Sequence, residues 1–206
     1  MKTVKMLLIG MLCVFFAACD KNNDDSDSSD DGRGNNKLKK GQIEMKIEPN
    51  NSKNEVRFKA TAKKITIDWG DGTIDELTPN GVRKEFIHEY TNRNIKSINI
   101  NTESLISISD INLQYGIYSE LWFGDCPELE EIICEKHKLT ILEINGCKAL
   151  KYLVCIGNQL NSSALNAIFN SLPKSTDGRI LVFGNPGSSE CDKSIAINKG
   201  WAVDSY

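Results

Sequence analysis

Residues 121–160 read LWFGDCPELEEIICEKHKLTILEINGCKALKYLVCIGNQL, and this stretch repeats itself at one fixed interval. Cys126 and Cys147 are 21 residues apart, and Cys134 and Cys155 are separated by the same 21 positions. The shift superimposes further apolar pairs: Leu121 on Leu142, Phe123 on Ile144, Leu129 on Leu150, Ile132 on Leu153 and Leu139 on Leu160. Because a unit this short cannot enclose its own apolar side chains, neighbouring units must bury them jointly. The repeat therefore predicts a stacked solenoid.

Each 21-residue unit is itself nearly double. Leu139-x-x-Leu142-x-Ile144-x-x-Cys147 is followed by Leu150-x-x-Leu153-x-Cys155-x-x-Asn158. The pair resembles the nested short leucine-rich repeats of Bacteroidetes and Firmicutes surface proteins, in which an arc ending in Gly-Cys alternates with one ending in Asn. The resemblance covers the chain from about Leu105 to the C-terminus. It implies that Asn158 bonds the backbone of its turn as part of an inward polar ladder, although Gly124-Asp125 and Lys136 depart from the family's turn residues.

C-terminal to the repeats, the spacing of apolar residues changes to that of a helix. One apolar face is formed by Leu165, Ile168, Phe169 and Leu172. We expect Ser162 or Ser163 to cap this helix and Pro173 to end it. The end of a solenoid would otherwise expose its core, so the last residues should form a cap. The solenoid is therefore expected over residues 102–188 and its C-terminal cap over residues 189–206.

Between residues 41 and 101, short runs alternate apolar and polar residues, as half-buried strands do. This pattern predicts a small antiparallel β-sandwich. Within it, Trp69-Gly70-Asp71-Gly72-Thr73 followed by His88-Glu89-Tyr90 resembles the polycystic kidney disease (PKD) family of immunoglobulin-like domains, over residues 41–101. The resemblance implies a spacer or a binding module. The expected fold is mainly β: a small PKD-like β-sandwich followed by a short leucine-rich-repeat solenoid with a helical and strand C-terminal cap.

Three aspartates near the Trp-Gly-Asp-Gly turn, Asp68, Asp71 and Asp75, suggest a calcium site. Their spacing lacks the regular alternation and the closing glutamate of an EF-hand loop. We expect instead that Asp71 accepts backbone N–H bonds within the turn, and that Trp69 and Tyr90 fill the core. The sequence therefore predicts no metal and no cofactor here.

The N-terminus carries an export signal, in which Lys2 and Lys5 precede an apolar run over residues 6–18. This run is shorter than a membrane-spanning helix of about 20 residues. Phe16-Ala17-Ala18-Cys19 resembles a bacterial lipobox, although Phe16 replaces the usual Leu or Val. The resemblance implies a signal peptide over residues 1–18 and a lipid on Cys19, which would anchor the chain to a membrane. The alternative is a plain signal peptide with an incidental cysteine.

An acidic tether follows Cys19, and the expected tether segment is 19–40. Residues 20–36 contain six aspartates and only two basic residues, Lys21 and Arg33. A segment with so few apolar residues cannot offset the entropy of ordering, so we expect disorder. The run resembles the surface-export signal of Bacteroidetes lipoproteins, whereas the alternative is a solvated spacer. The rest of the mature chain is nearly neutral, which argues against nucleic-acid binding.

Five cysteines remain once the signal and Cys19 are set aside: Cys126, Cys134, Cys147, Cys155 and Cys191. An odd number excludes a fully paired set. Stacking places the cysteines of successive repeats near each other, but their parallel Cβ directions oppose a disulfide. We expect buried free thiols. Zinc is not expected, because no Cys-x-x-Cys is present and His88 and His137 lie outside any ligand spacing.

Three classes of function can be compared. The sequence contains no G-x-S-x-G, Walker loop, H-E-x-x-H or Cys/His pair, so we do not expect an enzyme. A recognition or adhesion module for an unknown protein or glycan fits a solenoid tethered to the outer membrane and exposed at the cell surface. The alternative is a structural or accessory component of the cell envelope, without a specific ligand.

Alternation along the repeat strands predicts which residues face outward. If Ile132, Leu153 and their equivalents point inward, their neighbours point to the other side. The resulting candidate ligand-binding residues are Trp122, Ile133, Glu143, Tyr152, Val154 and Ile156. Adjacent exposed apolar residues on stacked strands form a patch, and patches are often interfaces. The alternative is that another part of the chain covers them, such as the helix around Leu165.

Overall fold

The computed structural model describes residues 38–47, 55–91, 94, 96–109 and 118–204. The predicted signal peptide, Cys19 and the predicted tether as far as residue 37 lie outside these residues. Within them the chain is mainly β, as expected, with thirteen strands and two helices. The strands are β1 Gln42–Ile47, β2 Glu55–Thr61, β3 Lys64–Asp68, β4 Ile74–Leu77, β5 Arg83–Glu89, β6 Lys96–Glu103, β7 Ser107–Ser109, β8 Tyr118–Phe123, β9 Glu131–Ile133, β10 Ile141–Glu143, β11 Tyr152–Val154, β12 Gly178–Leu181 and β13 Trp201–Asp204. The helices are α1 Ser162–Ser171 and α2 Ser194–Ile197.

Two mixed sheets contain all the described strands. The first sheet has the order β10-β8-β1-β6-β3-β4, and the second has the order β13-β12-β11-β9-β7-β2-β5. In each sheet the strands from the N-terminal part of the chain pair antiparallel, whereas those from the C-terminal part pair parallel. The change occurs between β1, β8 and β10 in the first sheet and between β2, β7 and β9 in the second.

Both sheets run across the boundary expected near residue 101. β8 pairs with β1, and β7 pairs with β2, so strands from the expected sandwich and from the expected solenoid are direct neighbours. One hydrophobic core includes Ile67 and Trp69 of the N-terminal part together with Leu153 and Ile180 of the C-terminal part. The described residues accordingly belong to one compact unit.

The 21-residue register predicted by the sequence is confirmed in both sheets. β10 pairs with β8 so that Leu142 lies opposite Leu121, and β11 pairs with β9 so that Leu153 lies opposite Ile132. All four side chains are buried. Each 21-residue repeat thus adds one parallel strand to each sheet, and its leucines fill the space between them.

Two buried asparagines hold the turns that follow β11 and β12. Oδ1 of Asn158 accepts hydrogen bonds from the backbone N–H groups of His137 at 3.0 Å and Leu139 at 3.2 Å. Its Nδ2 donates to the carbonyls of Cys134 at 2.8 Å and Cys155 at 3.0 Å. Asn185 repeats the pattern one turn later, donating to the Cys155 carbonyl at 2.8 Å. The inward polar ladder expected at Asn158 is therefore present, and Asn185 extends it.

Helix α1 lies where the apolar period predicts it, and it ends just before Leu172 and Pro173. Its cap differs from the expectation: Asn161, rather than Ser162 or Ser163, accepts the N–H of Ala164 at 2.8 Å. An asparagine one residue earlier competes well for this position, because its carbonyl oxygen reaches the same N–H groups as a serine hydroxyl. Among the described residues, no helix combines the length and apolarity needed to cross a membrane.

The five cysteines from Cys126 to Cys191 are free and buried, as expected. Burial raises the pKa of the Cys155 thiol to about 12, and it also raises the pKa of Cys134 and Cys147 above the usual range. A thiol whose pKa is this high stays protonated at neutral pH, and the thiolate is the reactive form. These cysteines therefore act as small apolar side chains in the core.

Candidate functional site

The outer face of the second sheet, which points away from the core, carries an apolar row across three parallel strands. Val154 of β11 lies opposite Ile133 of β9 on one side and opposite Leu181 of β12 on the other. We call these three residues the apolar rung. None of them belongs to the hydrophobic core, whereas their strand neighbours Ile132, Leu153 and Ile180 do. The rung therefore lies on the outer face, as alternation predicts.

Three of the six predicted ligand-binding residues are buried, contrary to the expectation of an exposed patch. Trp122 is 6% exposed, Val154 5% and Ile156 9%, whereas Ile133, Glu143 and Tyr152 are partly exposed. For Val154 and Trp122 the position in the sheet contributes, because each lies on a middle strand with neighbours on both sides. Val154 has the apolar rung beside it, and Trp122 lies between Glu44 and Glu143. Alternation predicts which face of the sheet a side chain points to, but it does not predict how far the side chains of adjacent strands bury it.

A second row on the same face combines an aromatic ring with charges. Tyr152 lies opposite Glu131 of β9 and Arg179 of β12, and we call these three residues the polar rung. Arg179 donates from Nε to Oδ2 of Asp204 at 2.8 Å, and its Nη2 lies 2.6 Å from the same oxygen. Hydrogen bonding to Asp204 raises the pKa of the guanidinium, which is fully charged in any case. The polar rung thus places an aromatic ring, a carboxylate and a guanidinium on neighbouring strands.

The repeat pattern predicts that Tyr152 lies on the outer face, but it does not predict the positions of Arg179, Leu181 and Asp204. These residues follow helix α1, which makes the offset between β11 and β12 larger than the regular repeat, so a fixed interval does not reach them. The signal that could have located them is the alternation of Ile180 and Val182, which marks an inward row and so leaves Arg179 and Leu181 on the other face.

The Trp-Gly-Asp-Gly turn between β3 and β4 forms a polar cluster with residues of β5. Asp71 accepts the Thr73 N–H at 3.0 Å and the Thr73 hydroxyl at 2.6 Å through Oδ1. Its Oδ2 accepts from Nε2 of His88 at 2.8 Å. The ring of His88 stacks on buried Trp69 with centroids 4.7 Å apart. Tyr90 donates its hydroxyl proton to the Trp69 carbonyl at 2.8 Å.

This Asp-His-Thr group does not have the geometry of a nucleophilic triad. In a triad the imidazole bridges acid and nucleophile with its two different nitrogens. Here Asp71 and Thr73 both approach Nε2 of His88, at 2.8 Å and 3.5 Å, and the threonine hydroxyl already donates to the carboxylate. The group instead fastens the turn to β5, and Trp69 and Tyr90 fill the core as predicted.

The hydrogen bonds from Thr73 and His88 also shift the pKa of Asp71. Partial burial raises it, but the hydrogen bonds from Thr73 and His88 outweigh burial and lower the pKa to about 2. The carboxylate is therefore ionised at neutral pH and acts as an acceptor. Among the residues that the structure describes, no three His, Cys, Asp or Glu side chains come together in a way that could hold a metal ion.

A cleft of about 400 Å³ lies where β1 begins, between the turn after β6 and the turn after β8. Its walls carry Lys40, Glu103, Asp125, Cys126 and Glu128. Burial, and after it the Asp125 carboxylate, raise the pKa of the Cys126 thiol to about 11, so this thiol is not a nucleophile at neutral pH. The cleft contains none of the residues of the apolar or polar rungs.

Comparison with known proteins found no match to this chain among family models, curated proteins or solved structures.

Proposed function

We propose that the protein is a surface lipoprotein that acts as a non-catalytic recognition module. The observation that carries this proposal is the outer face of the second sheet, where the apolar rung and the polar rung lie side by side. A partly exposed tyrosine between a carboxylate and a guanidinium, next to aliphatic side chains, can bind a sugar ring or a protein side chain by stacking and hydrogen bonding. The ligand class is therefore a glycan or a protein.

The proposal includes a finer description of the fold. The parallel strands stacked at a 21-residue register, with an asparagine ladder inside their turns, support a short leucine-rich-repeat solenoid. The Trp-Gly-Asp-Gly turn, held by His88 and Tyr90, supports a PKD-like sandwich ahead of it. In this description the sandwich closes the N-terminal end of the solenoid, because β1 and β2 pair directly with its first strands.

The proposed location is the outer face of the outer membrane, with a lipid on Cys19. Protease treatment of intact cells tests it: the protein should be degraded without permeabilisation, and Cys19→Ser should abolish labelling by a lipid precursor. Protection from protease until the outer membrane is opened would contradict surface display.

Binding can be tested on arrays of polysaccharides and extracellular proteins. A Tyr152→Ala, Arg179→Ala double variant should lose about ten-fold or more in affinity for a ligand found with the natural chain, because it removes the aromatic and charged groups of the polar rung. Lys64→Ala, which changes an exposed charge on the first sheet, is the matched control. A ligand whose affinity ignores the double variant, while the fold is intact, would place the site elsewhere.

A structural role in the envelope is the second candidate. It is favoured by the burial of Trp122, Val154 and Ile156, which leaves less apolar area exposed than the sequence predicts. The two candidates differ in one outcome, since a structural component would bind no member of the arrays and its loss would instead change the sensitivity of cells to detergent.

A further inference from the structure

The polar rung continues across the second sheet into the strands from the N-terminal part of the chain. Ser107 of β7 lies opposite Glu131, and Thr61 of β2 lies opposite Ser107. Together with Glu131, Tyr152 and Arg179, these two residues form one row over five adjacent strands, which we call the polar track. Because neighbouring strands lie about 4.8 Å apart, the track is about 19 Å long. It spans twice as many strand gaps as the polar rung.

Every side chain of the polar track reaches the surface. The exposed or partly exposed residues are Thr61, Ser107, Glu131, Tyr152 and Arg179. The adjacent row on the same face differs, because Val154 of the apolar rung is buried. A ligand on this face would therefore contact the polar track along its whole length and the apolar rung only in part.

The polar track offers hydrogen-bond donors and acceptors in close succession. Ser107 donates its hydroxyl proton to the Thr61 hydroxyl at 3.0 Å, and both oxygens can accept further bonds. The Glu131 carboxylate is an acceptor. The Arg179 guanidinium has five N–H groups, of which the contact with Asp204 uses two. A ligand with many hydroxyl groups matches such a row, because each hydroxyl both donates and accepts.

The charges on this face balance each other. The two rows that contain the polar track and the apolar rung, extended to β5 and β13, carry six charged side chains. The basic ones are Arg83, Lys59 and Arg179, and the acidic ones are Glu85, Glu131 and Asp204. Three positive and three negative charges leave no net charge, whereas a polyanion needs a concentrated basic surface. An uncharged ligand therefore fits this face best.

We infer that the polar track binds a linear, uncharged polysaccharide that lies across the strands. The inference rests on the proposed function, because it uses the same face and narrows the ligand class to a glycan. Sugar rings have apolar faces as well as hydroxyl groups. Tyr152 can therefore stack on one ring while the rest of the track bonds the hydroxyls of that ring and its neighbours.

A protein partner would need a different surface. The centres of protein interfaces are apolar and well packed, and a few buried anchors supply most of the binding energy. On this face Val154 is only 5% exposed, and Ile133 and Leu181 beside it are only partly exposed. The apolar rung therefore offers little area on which such anchors could pack.

Isothermal titration calorimetry tests the inference on the mature chain carrying Cys19→Ser, which keeps it free of lipid. The probes are purified cello-, malto-, manno- and xylo-oligosaccharides of one to eight units. For at least one series, affinity should rise with chain length until the ligand spans the polar track, because each added unit meets further groups. Oligogalacturonates of the same lengths are the charged comparison and should bind more weakly, since the face has no excess of basic groups.

Two variants separate the ends of the polar track. Thr61→Val, Ser107→Ala removes both hydroxyls, and because these bond each other the fold should lose little stability. This double variant should weaken binding of the longest oligosaccharides by about ten-fold or more and leave the shortest unchanged. Tyr152→Ala should weaken binding at every length, because it removes the stacking ring. Thr66→Val, at a partly exposed position of β3 in the first sheet, is the matched control and should change nothing.

The outcomes distinguish this inference from the proposed function. If the chain binds only proteins or charged glycans and needs Tyr152 to do so, recognition by this face stands but the inference is wrong. The inference is also wrong if no series binds, if affinity does not rise with length, or if the double variant binds long oligosaccharides as tightly as the natural chain. If no ligand depends on Tyr152, both proposals fail. Circular dichroism of each variant separates a folding defect from a loss of binding.

Discussion

At the scale of single residues, Asn158 holds two neighbouring turns together, as the repeat pattern predicts. Its amide makes four buried hydrogen bonds of 3.2 Å or less to the backbone of two neighbouring turns. Asn158→Ala would leave these groups without a partner, so we expect the free energy of unfolding to fall by about 3 kcal/mol or more. Asn158→Asp should also destabilise, because a carboxylate cannot donate to the two carbonyls. Chemical denaturation measures both, and an equal loss for exposed Gln159→Ala would contradict the assignment.

Asp71 gives a prediction about pH. Its pKa of about 2 in the folded chain lies below the usual value of about 3.9 for an unfolded aspartate. The carboxylate therefore stabilises the fold fully above about pH 4, and this contribution is lost as the pH falls through about 2. Because the carboxylate is partly exposed, we expect Asp71→Asn to cost only about 1 kcal/mol at neutral pH.

Thermal melting between pH 2 and pH 6 measures this effect. The difference in melting temperature between the natural chain and Asp71→Asn should shrink as the pH falls. Glu190→Gln, which changes an exposed carboxylate, serves as the control. A difference that stays constant over the whole range would show that the Asp71 carboxylate does not stabilise the turn through its charge.

At the scale of elements, the parallel strands depend on one inward leucine per strand. Leu153 of β11 is fully buried and lies between Ile132 and Ile180 of the neighbouring strands. Leu153→Ala should lower the free energy of unfolding by about 2–5 kcal/mol, because the truncation leaves a buried cavity between Ile132 and Ile180. Lys151→Ala, two residues earlier, removes only an exposed ion pair with Glu130 and should cost less than about 1 kcal/mol. Equal denaturation midpoints for the two variants would contradict the inward and outward assignment.

The elements also show how far the sequence could be interpreted. The register of β8 with β10 and of β9 with β11 follows from the 21-residue interval, because both strands of each pair come from equivalent repeat positions. Helix α1 follows from its apolar period. The burial of Trp122 and Val154 does not follow from the sequence pattern, since it depends on which side chains lie beside them in the sheet. The cap at Asn161 was missed because three adjacent residues could all serve as caps.

At the scale of the whole molecule, the expected division near residue 101 reflects a change in the local pattern rather than a break between sheets. Period-two alternation before it and the longer repeat after it are both local signals. The contacts that join the two parts, β1 with β8 and β2 with β7, link residues far apart in the chain. No local pattern predicts such long-range pairings. A single sequence therefore suggests two domains where the two sheets in fact connect both parts of the chain.

The central claim is that the antiparallel and parallel strands form one cooperative body with a shared core. Native-state hydrogen exchange tests it most directly, by comparing the slowest amides of β3 with those of β12 in the natural chain and in Leu153→Ala. We predict the same free energy of opening for both strands in the natural chain, and an equal decrease in both when Leu153 is truncated. A decrease confined to β12, with β3 unchanged, would contradict the claim and show two units that unfold independently.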